Sequence, residues 1–480
     1  MLDHAPFADG LPHPSPDEIH KHAAQIVNWL LADFTALPQR PVGTMASPAQ
    51  MQAWLGQPLP EEGQGLDAVL KTFGELVAPF AFRPNHPRFI AFIPSAPSYY
   101  SILGDWLCAG INLFAGVWLE AAGATQVELV VLDWFKELLG YPPGASGILT
   151  GGGSEANLTA LLVARESLSF ADRGRAILYV NQHRHWSVDR AARTIGLHPD
   201  QVRPIPAGTD FRVHGSALAE ASTRDTDAGK LPWAMVATAG ATSTGIVDDL
   251  ASIADVCRQH GLWFHVDAAY GWSASLVPAG KALLHGLERA DSITLDPHKW
   301  FAQTFEAGCV LVRDGQRLRD TFAHSPEYMQ DVRPADDEVN FADLGLALSR
   351  RFRALKIWFS IKVLGIGWFR ALIQHTCALA EHGERLLQQA ECFERLSPRA
   401  LSMVCFRYRP KGSRGDTTEE ELDRLNLALC AAVRDSGKAF LSSTRLNEHV
   451  ALRFCFVNWR TTPRDVEEIV ELLVSLKEKL

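Results

Sequence analysis

Short runs of β-branched and apolar residues alternate with segments of helical periodicity between residues 145 and 315. The runs carry almost no charge, which is typical of strands in parallel sheets that are buried on both faces. A helix is clear between two of the runs, over residues 248–260. The alternation predicts an α/β fold in which helices cover a mostly parallel central sheet. The strands predicted here are 176–180, 233–238, 262–266 and 292–295, and an earlier one ends at Ile148-Leu149.

The residues before this region have a different organisation. Residues 1–80 are predicted to form an N-terminal helical arm. Its first helix begins after Ser15, which is a typical N-cap residue, and Pro16 fits the first helical position. A connection rich in Pro, Gly and Gln follows over residues 56–65, which favours an arm over an independent domain.

The residues after this region change pattern again. Two short apolar strands, 403–408 and 451–456, alternate with helices and predict a small C-terminal α+β domain over residues 376–480. The large α/β domain is then predicted over residues 81–375. The polar stretch 331–345 shows no apolar periodicity, and a mobile surface loop is expected there.

The composition argues against several classes of protein. The 480 residues include 46 Lys and Arg against 55 Asp and Glu, a formal net charge of −9, without long runs of one sign. No nucleic-acid or membrane partner is expected, because either would need a basic surface. The eight cysteines form no C-x-x-C pair, and no metal site or disulfide framework is predicted. Without a signal sequence or an apolar stretch of roughly 20 residues, the chain is expected to be cytoplasmic.

Reactive or hydrogen-bonding side chains follow four of the predicted strands. Because the carboxyl ends of parallel strands meet at one edge of a sheet, groups at these ends share a crevice. Four such positions together predict a ligand site. They are Gly151 to Glu155 after the first strand, His183 and His185 after the second, Asp267 after the fourth and His298-Lys299 after the fifth.

Three glycines, Gly151 to Gly153, precede Ser154 and a helical segment. Such a turn presents backbone N–H groups at the positive end of the helix dipole, where they can bind a phosphate. The spacing to Ala156 also fits a dinucleotide-binding fingerprint, although no acid ends a strand about 20 residues later. A tight turn that binds nothing is the third explanation for this motif taken by itself.

Asp267 and Lys299 are charged residues that follow apolar strands, so the position of each needs an explanation. A carboxylate after an apolar strand is costly unless a cation or donor faces it, and a helix N-cap or a structural salt bridge would also explain Asp267. A lysine in an apolar cleft forms Schiff bases readily, whereas most single lysines are simply solvated. A phosphate cradle, an anion for a pyridine nitrogen and an amine for an aldehyde are together what pyridoxal 5'-phosphate requires.

These motifs resemble those of the pyridoxal-phosphate-dependent group II amino-acid decarboxylases, and most closely the aromatic-L-amino-acid decarboxylases. The resemblance runs over nearly the whole chain. It implies a carboxy-lyase of fold type I (aspartate aminotransferase-like), and a homodimer with its sites at the subunit interface. The motifs that carry it are HPRFIAFIPSAPSYYSILGDWL (86–107), TGGGSEANLTALLVAR (150–165), QHRHWSVDRAAR (182–193), ATAGATSTGIVDDL (237–250), WFHVDAAYGW (263–272), LDPHKW (295–300) and LSRRFRALKIWF (348–359).

The resemblance also implies roles for individual residues. Lys299 would form the Schiff base, Asp267 would pair with the pyridinium nitrogen, and His185 would stack on the ring. Tyr328 would return a proton to the substrate from a mobile loop, although without the family it is an ordinary loop aromatic. The other implied cofactor contacts are Gly153 and Ser154 at the phosphate, Ala269 on the second ring face, Thr242 at the ring edge, and His298 beside the phosphate and the lysine.

The segment expected to line the substrate pocket, residues 89–118, is aromatic and apolar and contains no arginine. An aromatic or apolar substrate is therefore favoured over glutamate, whose second carboxylate would be buried unpaired. Ser349 resembles the serine of phenol-preferring relatives, whereas Gly116 could admit indole, so tyrosine, dopa and tryptophan all stay open. The predicted substrate-binding residues are Phe92, Ile93, Pro94, Phe114, Trp118 and Ser349, of which Phe114 would come from the other subunit.

Two positions depart from the pattern of animal relatives. Asp296 stands where asparagine is usual and adds negative charge near the phosphate, and Trp186 stands where serine is usual and adds bulk near the cofactor.

Other functions also stay open. An aldehyde synthase is disfavoured by Tyr328, and a nicotinamide oxidoreductase would leave Lys299 unexplained. A decarboxylase of a non-aromatic amino acid and a non-catalytic cofactor-binding protein are the remaining alternatives.

Overall fold

The structure is a computed structural model that describes residues 13–324, 327–335, 337–410 and 417–478, and it describes Tyr328 and Met329 by their backbone alone. Besides short 3₁₀ and π turns, the described residues form α1 Pro16–Ala36, α2 Pro48–Leu55, α3 Leu66–Thr72, α4 Tyr99–Ile111, α5 Trp118–Leu139, α6 Gly153–Arg165, α7 Trp186–Thr194, α8 Gly215–Asp227, α9 Leu250–His260, α10 Pro278–Leu283, α11 Gln316–Phe322, α12 Ala354–Gln389, α13 Glu419–Asp435 and α14 Pro463–Lys477.

The strands form two sheets. They are β1 Ser146–Thr150, β2 Ala176–Asn181, β3 Val202–Ile205, β4 Leu231–Thr238, β5 Trp263–Asp267, β6 Ser292–Leu295, β7 Gly308–Val312, β8 Phe393–Arg395, β9 Met403–Tyr408, β10 Ser442–Leu446 and β11 His449–Cys455. The larger sheet has the order β1-β7-β6-β5-β4-β2-β3, and the smaller antiparallel sheet has the order β10-β11-β9-β8.

The larger sheet confirms the predicted α/β class. Strands β2 to β6 pair in parallel, and only β7 runs antiparallel to its two neighbours. The register sets Asp267 opposite both Thr238 and Thr294, so β4, β5 and β6 end at the same level. The side chains that follow these ends are therefore brought to one edge of the sheet.

Helix starts follow the local sequence signals. Ser15 caps α1 in a capping box with Glu18, as the sequence predicts, and Thr418 and Thr462 cap α13 and α14 with their side chains. Each hydroxyl satisfies a backbone N–H group that the first helical turn would otherwise leave without a partner. The helix predicted over 248–260 begins two residues later, because Asp249 is its N-cap.

Helix α12 joins the two sheets. Its first half contributes Ile357 and Phe369 to the core under the larger sheet, and its second half contributes Leu379 and Leu387 to the core under the smaller one. By length and composition it is the one described helix apolar enough to cross a membrane, yet its buried face packs in these two cores. The domain boundary predicted near residue 375 falls inside this helix.

Two features differ from expectation. The antiparallel strand β7 was not predicted, although its sequence GCVLV is apolar and fully buried. The stretch 331–345, predicted to be a mobile surface loop, is packed at its C-terminal end: Phe341 is fully buried, and Asn340 accepts a hydrogen bond from Trp118 N at 2.8 Å. A single large aromatic residue in a polar stretch supplies this anchor, and a search for periodicity does not detect it.

Candidate cofactor site

A cleft lies at the carboxyl edge of the larger sheet, where β1, β2, β4, β5 and β6 end. It consists of two adjoining cavities of about 510 and 420 Å³. The first contains the glycine turn before α6, and the second extends to Phe92 and Thr242. The side chains that line both are His185, Asp267, Ala269, His298, Lys299 and Phe305.

The glycine turn is shaped by residues across the cleft. Gly152 has φ +157°, and a Cβ on it would lie 3.1 Å from His298 Cε1. A Cβ on Gly153 would lie 2.8 Å from Asp296 Oδ2. Side chains at these positions would therefore fill the cradle that a phosphate needs. Gly151 N already donates to Glu155 Oε2 at 2.7 Å, while Ser154 is exposed at the start of α6.

Lys299 and Asp296 form an ion pair across one turn of chain. Lys299 Nζ lies 3.1 Å from Asp296 Oδ2, and the Asp296 side chain is 2% exposed. His298 Nε2 is 3.7 Å from the same oxygen, and its Nδ1 accepts a hydrogen bond from Ala307 N at 3.0 Å. Burial lowers the pKa of His298, so the imidazole is neutral near pH 7 and Lys299 supplies the positive charge.

Asp267 is buried at the end of β5 and is held by hydrogen bonds. Asn157 Nδ2 donates to its Oδ2 at 3.0 Å, and Ala269 N donates to its Oδ1 at 3.2 Å. No salt bridge to Asp267 forms among the residues that the structure describes, which removes one of the alternative explanations for this carboxylate. An anion with donors but no cation is suited to a protonated ring nitrogen.

A chain of hydrogen bonds connects Asp267 with His185. Asn157 Nδ2 also donates to Ser187 Oγ at 2.9 Å, and Ser187 Oγ lies 2.8 Å from His185 Nδ1. Ser187 N donates to the same Nδ1 at 3.2 Å, which places the ring proton of neutral His185 on Nε2. Burial lowers the pKa of His185 and favours this neutral form.

The side chain of Asn157 is itself oriented by His265, which lies on β5 on the same face as Asp267. Its Oδ1 lies 3.0 Å from His265 Nε2, and His265 Nδ1 lies 2.8 Å from Ser292 Oγ. Burial lowers the pKa of His265 to about 4, so its neutral ring donates from Nε2 to the Asn157 amide oxygen. We call these six residues the Asp267 network: His185, Ser187, Asn157, His265, Asp267 and Ser292.

Sequence reasoning missed Asn157, Ser187 and Ser292. Asn157 is one helical turn beyond Gly153, on the helix that begins at the glycine turn. A buried polar residue at that spacing was the available signal. Phe305, Glu306 and Arg353 were missed as well, and they line the first cavity. Nothing in their local sequence marks them, because they approach the cleft from loops that follow β6 and precede α12.

The second cavity is largely apolar. Phe92, Ile93 and Pro94 line it from one side, as predicted, together with Tyr270 and Phe305. Thr242 lies at its edge, and Arg453 of β11 donates to the Thr242 carbonyl, so the smaller sheet supports this part of the site. Lys299 is the only lysine or arginine among the described residues of this lining.

Other predicted residues are not brought to the cleft within one chain. Phe114, Trp118 and Ser349 line neither cavity. A Cβ on Gly116 would lie 2.7 Å from Phe114 Cζ, so in the single chain Phe114 takes the space that the glycine leaves, and room for indole there stays a prediction. Tyr328 is in a 3₁₀ turn, Glu327–Val332, and its side chain lies outside the described residues.

The donor set of the cleft fits pyridoxal 5'-phosphate. The glycine turn leaves a cradle beside the start of α6, Asp267 offers an anion without a cation, and Lys299 offers an amine where the two cavities meet. Among the described residues, no group of three or more His, Cys, Asp or Glu side chains is placed to hold a metal ion.

Comparison with known proteins agrees with this geometry. The family model described as the pyridoxal-dependent decarboxylase conserved domain matches residues 48–409. The aromatic-L-amino-acid decarboxylase of Bacillus atrophaeus is 37% identical, over 97% of both chains. The Oryza sativa TDC, solved with PLP and tryptamine, has a TM-score of 0.93 at 29% identity, over 98% of this chain and 99% of that one.

A further solved structure, the 4-hydroxyphenylacetaldehyde synthase of Rhodiola rosea, has a TM-score of 0.90 at 26% identity, over 97% of this chain and 99% of that one. The matches confirm the fold-type-I prediction and the pyridoxal phosphate cofactor. The nicotinamide alternative is therefore wrong. The chain belongs to the family of pyridoxal-dependent decarboxylases.

Proposed function

We propose that this enzyme decarboxylates an aromatic L-amino acid to the amine and carbon dioxide. The observation that carries the proposal is the second cavity, where Phe92, Ile93, Tyr270 and Phe305 surround the space next to Lys299. The described lining has no cation besides Lys299 for an acidic side chain, and burying a second carboxylate unpaired is costly. The names of two relatives, an aromatic-L-amino-acid decarboxylase and a TDC solved with tryptamine, support the same substrate class.

Each polar residue of the cleft has a task in this reaction. Lys299 would bond to the cofactor aldehyde, and the glycine turn with Ser154 would hold its phosphate. Asp267 would keep the ring nitrogen protonated. Neutral His185 would present its Nε2 proton to the substrate from the cap of α7. Bound pyridoxal phosphate supplies the electron sink that makes loss of a carboxylate possible.

Tyr328 would return a proton to the substrate carbon once carbon dioxide has left. Closure of the segment that carries it would keep water away from the reacting carbon. Support for this assignment comes from the sequence motif HSPEYMQDV, which resembles the catalytic loop of the family. The same tyrosine favours decarboxylation over the aldehyde-forming reaction that the name of the Rhodiola rosea structure indicates.

A homodimer would complete this site. Apolar side chains on α4 and α5 are exposed in the single chain, among them Trp106 at 54% and Leu119 at 69%. A surface of this kind is suited to an interface, and the predicted dimer would bring Phe114 in from the other subunit. Size-exclusion chromatography with light scattering should give twice the chain mass of 52.8 kDa.

The substrate assignment is tested with a panel of tyrosine, dopa, tryptophan and glutamate. We expect turnover of one or more aromatic substrates, with amine and carbon dioxide released in equal amounts, and little turnover of glutamate. Aldehyde and hydrogen peroxide as the main products would identify an aldehyde synthase. A preference for glutamate would contradict the aromatic assignment.

A further inference from the structure

Asp296 is a carboxylate of the cleft with little support. Its Oδ1 is fully buried, and no described residue donates a hydrogen bond to it. Its Oδ2 has Lys299 Nζ at 3.1 Å and His298 Nε2 at 3.7 Å. Because a buried carboxylate is costly without donors or a cation, the Lys299 ammonium group is the main support for this charge.

Asp296 also faces the turn that would hold the phosphate. Its Oδ2 lies 2.8 Å from the position of a Cβ on Gly153, the first residue of α6. A phosphate dianion in this cradle would stand next to Asp296 Oδ2, and the nearest described cation to that oxygen is Lys299. The lysine that supports Asp296 is the same one that would bond to the cofactor, so its nitrogen would be shared between Asp296 and the cofactor as the negative charge of the phosphate arrives.

The other described groups around Asp296 do not replace the positive charge of Lys299. Burial lowers the pKa of His185 and of His298, so both are neutral near pH 7, and burial raises the pKa of the Cys309 thiol well above its usual range. Arg353 lies 3.8 Å from Glu306, a partner at the mouth of the first cavity. The charged and titratable groups facing Asp296 are Lys299, His298, His185, Asp267 and Cys309, with Glu155, Glu306 and Arg353 farther along the cavity.

We propose that Asp296 takes up one proton when the cofactor phosphate enters the glycine turn, and that retention of the cofactor therefore weakens as the pH rises. In its acid form Asp296 can donate an O–H hydrogen bond to a phosphate oxygen, and the repulsion between two anions disappears. An asparagine at this position would donate an N–H hydrogen bond without needing a proton. The proposal rests on the cofactor of the family and is independent of the substrate.

The test compares the wild-type enzyme with Asp296→Asn and with Asp255→Asn. Cofactor is removed, and the dissociation constants of pyridoxal 5'-phosphate and of pyridoxal are measured by spectral titration at several pH values. At about pH 8 we expect Asp296→Asn to bind pyridoxal phosphate at least about tenfold more tightly than the wild type does. The slope of log Kd against pH should fall by about one in this variant, since one proton is no longer taken up.

Asp255→Asn is the control for a general effect of charge, because it removes a carboxylate whose side chain is 71% exposed and which lines neither cavity of the cleft. We expect its affinity for pyridoxal phosphate to stay within about twofold of the wild type, since an exposed charge is well screened. A gain equal to that of Asp296→Asn would show a general effect of charge and overturn the proposal.

Three further results would also overturn it. Equal pH slopes in the wild type and in Asp296→Asn would exclude proton uptake by Asp296. An equal gain for pyridoxal, which has no phosphate, would show that Asp296 acts through Lys299 alone. Calorimetry of the wild type in two buffers of different ionisation enthalpy counts the protons taken up on binding. This measurement keeps the proposal testable if the variant does not fold. Equal proton uptake for pyridoxal phosphate and pyridoxal would contradict the proposal. A chain that binds no pyridoxal phosphate at any pH would overturn the cofactor assignment itself.

Discussion

Two buried carboxylates face the same cleft from neighbouring strands, and their surroundings are opposite. Asp267 at the end of β5 receives hydrogen bonds from Asn157 and Ala269, and no ion pair reaches it in the described part of the chain. Asp296 after β6 has an ion pair with Lys299 and an Oδ1 to which no described residue donates. The first is held by two donors and would face the positive ring nitrogen of the cofactor. The second has Lys299 as its nearest described cation, and Lys299 is also the residue that would bond to the cofactor.

The difference shows that burial of a charge does not by itself assign its role. Both side chains are at least nine-tenths buried and both follow an apolar strand. What distinguishes them is the number of donors aimed at the oxygen atoms, since these decide which charge state the site favours. The following substitutions separate the two carboxylates experimentally.

Lys299→Ala should have the largest effect, because it removes both the amine that bonds to the cofactor and the ammonium group that supports Asp296. We expect loss of the visible absorbance of the bound cofactor and loss of nearly all turnover. The absorbance spectrum of the purified variant, with and without added pyridoxal phosphate, provides the measurement. Normal turnover in this variant would contradict the assignment of Lys299.

Asp267→Asn should have the next largest effect, with the opposite sign to Asp296→Asn in cofactor affinity. The amide cannot keep the ring nitrogen protonated, and we expect kcat to fall by about 100-fold or more, a loss on the scale seen when a main electrostatic contact is removed. Pyridoxal phosphate should also bind more weakly, whereas in Asp296→Asn it should bind more tightly. If the two variants shifted the affinity in the same direction, the distinction between the two carboxylates would be lost.

Much of this difference between the two carboxylates could not be predicted from the sequence. The strands, the glycine turn, Asp267 and Lys299 follow from alternating apolar runs and from polar residues at their ends, because parallel strands collect such residues at one edge. The support of Asp267 by Asn157 and His265 depends on a contact between helix α6 and β5 across more than one hundred residues of chain. Hydrogen bonds at that separation depend on side-chain orientation, which local patterns do not encode.

The lining of the substrate cavity was also only partly predictable from the sequence, because its residues come from separate parts of the chain. Phe92, Ile93 and Pro94 lie in one stretch of chain and reach the cleft together, as expected. Phe305 and Tyr270 join them from two other elements, and neither was predicted. Gly116 was expected to leave room for indole, but in the single chain its neighbour Phe114 fills that space. The absence of a side chain in a sequence becomes a cavity only when no adjacent side chain packs into it.

Asn157→Ala tests the support of Asp267 directly. Truncation leaves buried hydrogen-bonding groups on Asp267, Ser187 and His265 without their partner, and we expect a loss of about 1–3 kcal/mol in the free energy of unfolding. Chemical denaturation of the cofactor-free protein measures this loss. Activity should fall as well, and pyridoxal phosphate should bind more weakly, because Asp267 is no longer held toward the ring nitrogen.

The matched control for Asn157→Ala is Ser154→Ala, on the same helix but with an exposed side chain. This control should leave the free energy of unfolding within about 0.5 kcal/mol of the wild type, as exposed substitutions usually do. Its effect, if any, should appear in phosphate binding. Equal destabilisation by the two substitutions would show that the hydrogen bonds of Asn157 contribute nothing specific.

Trp186→Ser should have the smallest effect, although Trp186 and Asp296 are both departures from the pattern of animal relatives. Trp186 was expected to add bulk near the cofactor, yet its side chain is 54% exposed and lines neither cavity. It packs against Arg190, whose guanidinium carbon lies 3.8 Å from the ring centre, and its ring centre lies 5.7 Å from that of His185. Loss of this exposed cation–π contact should cost about 0.5–1 kcal/mol in the free energy of unfolding.

The Kd of pyridoxal phosphate for Trp186→Ser should stay within about twofold of the wild type, since substitution of an exposed neutral residue usually has little effect on a neighbouring site. Tighter cofactor binding in Trp186→Ser would show that the indole does reach the cofactor, and Asp296 would no longer be the one departure that affects its retention.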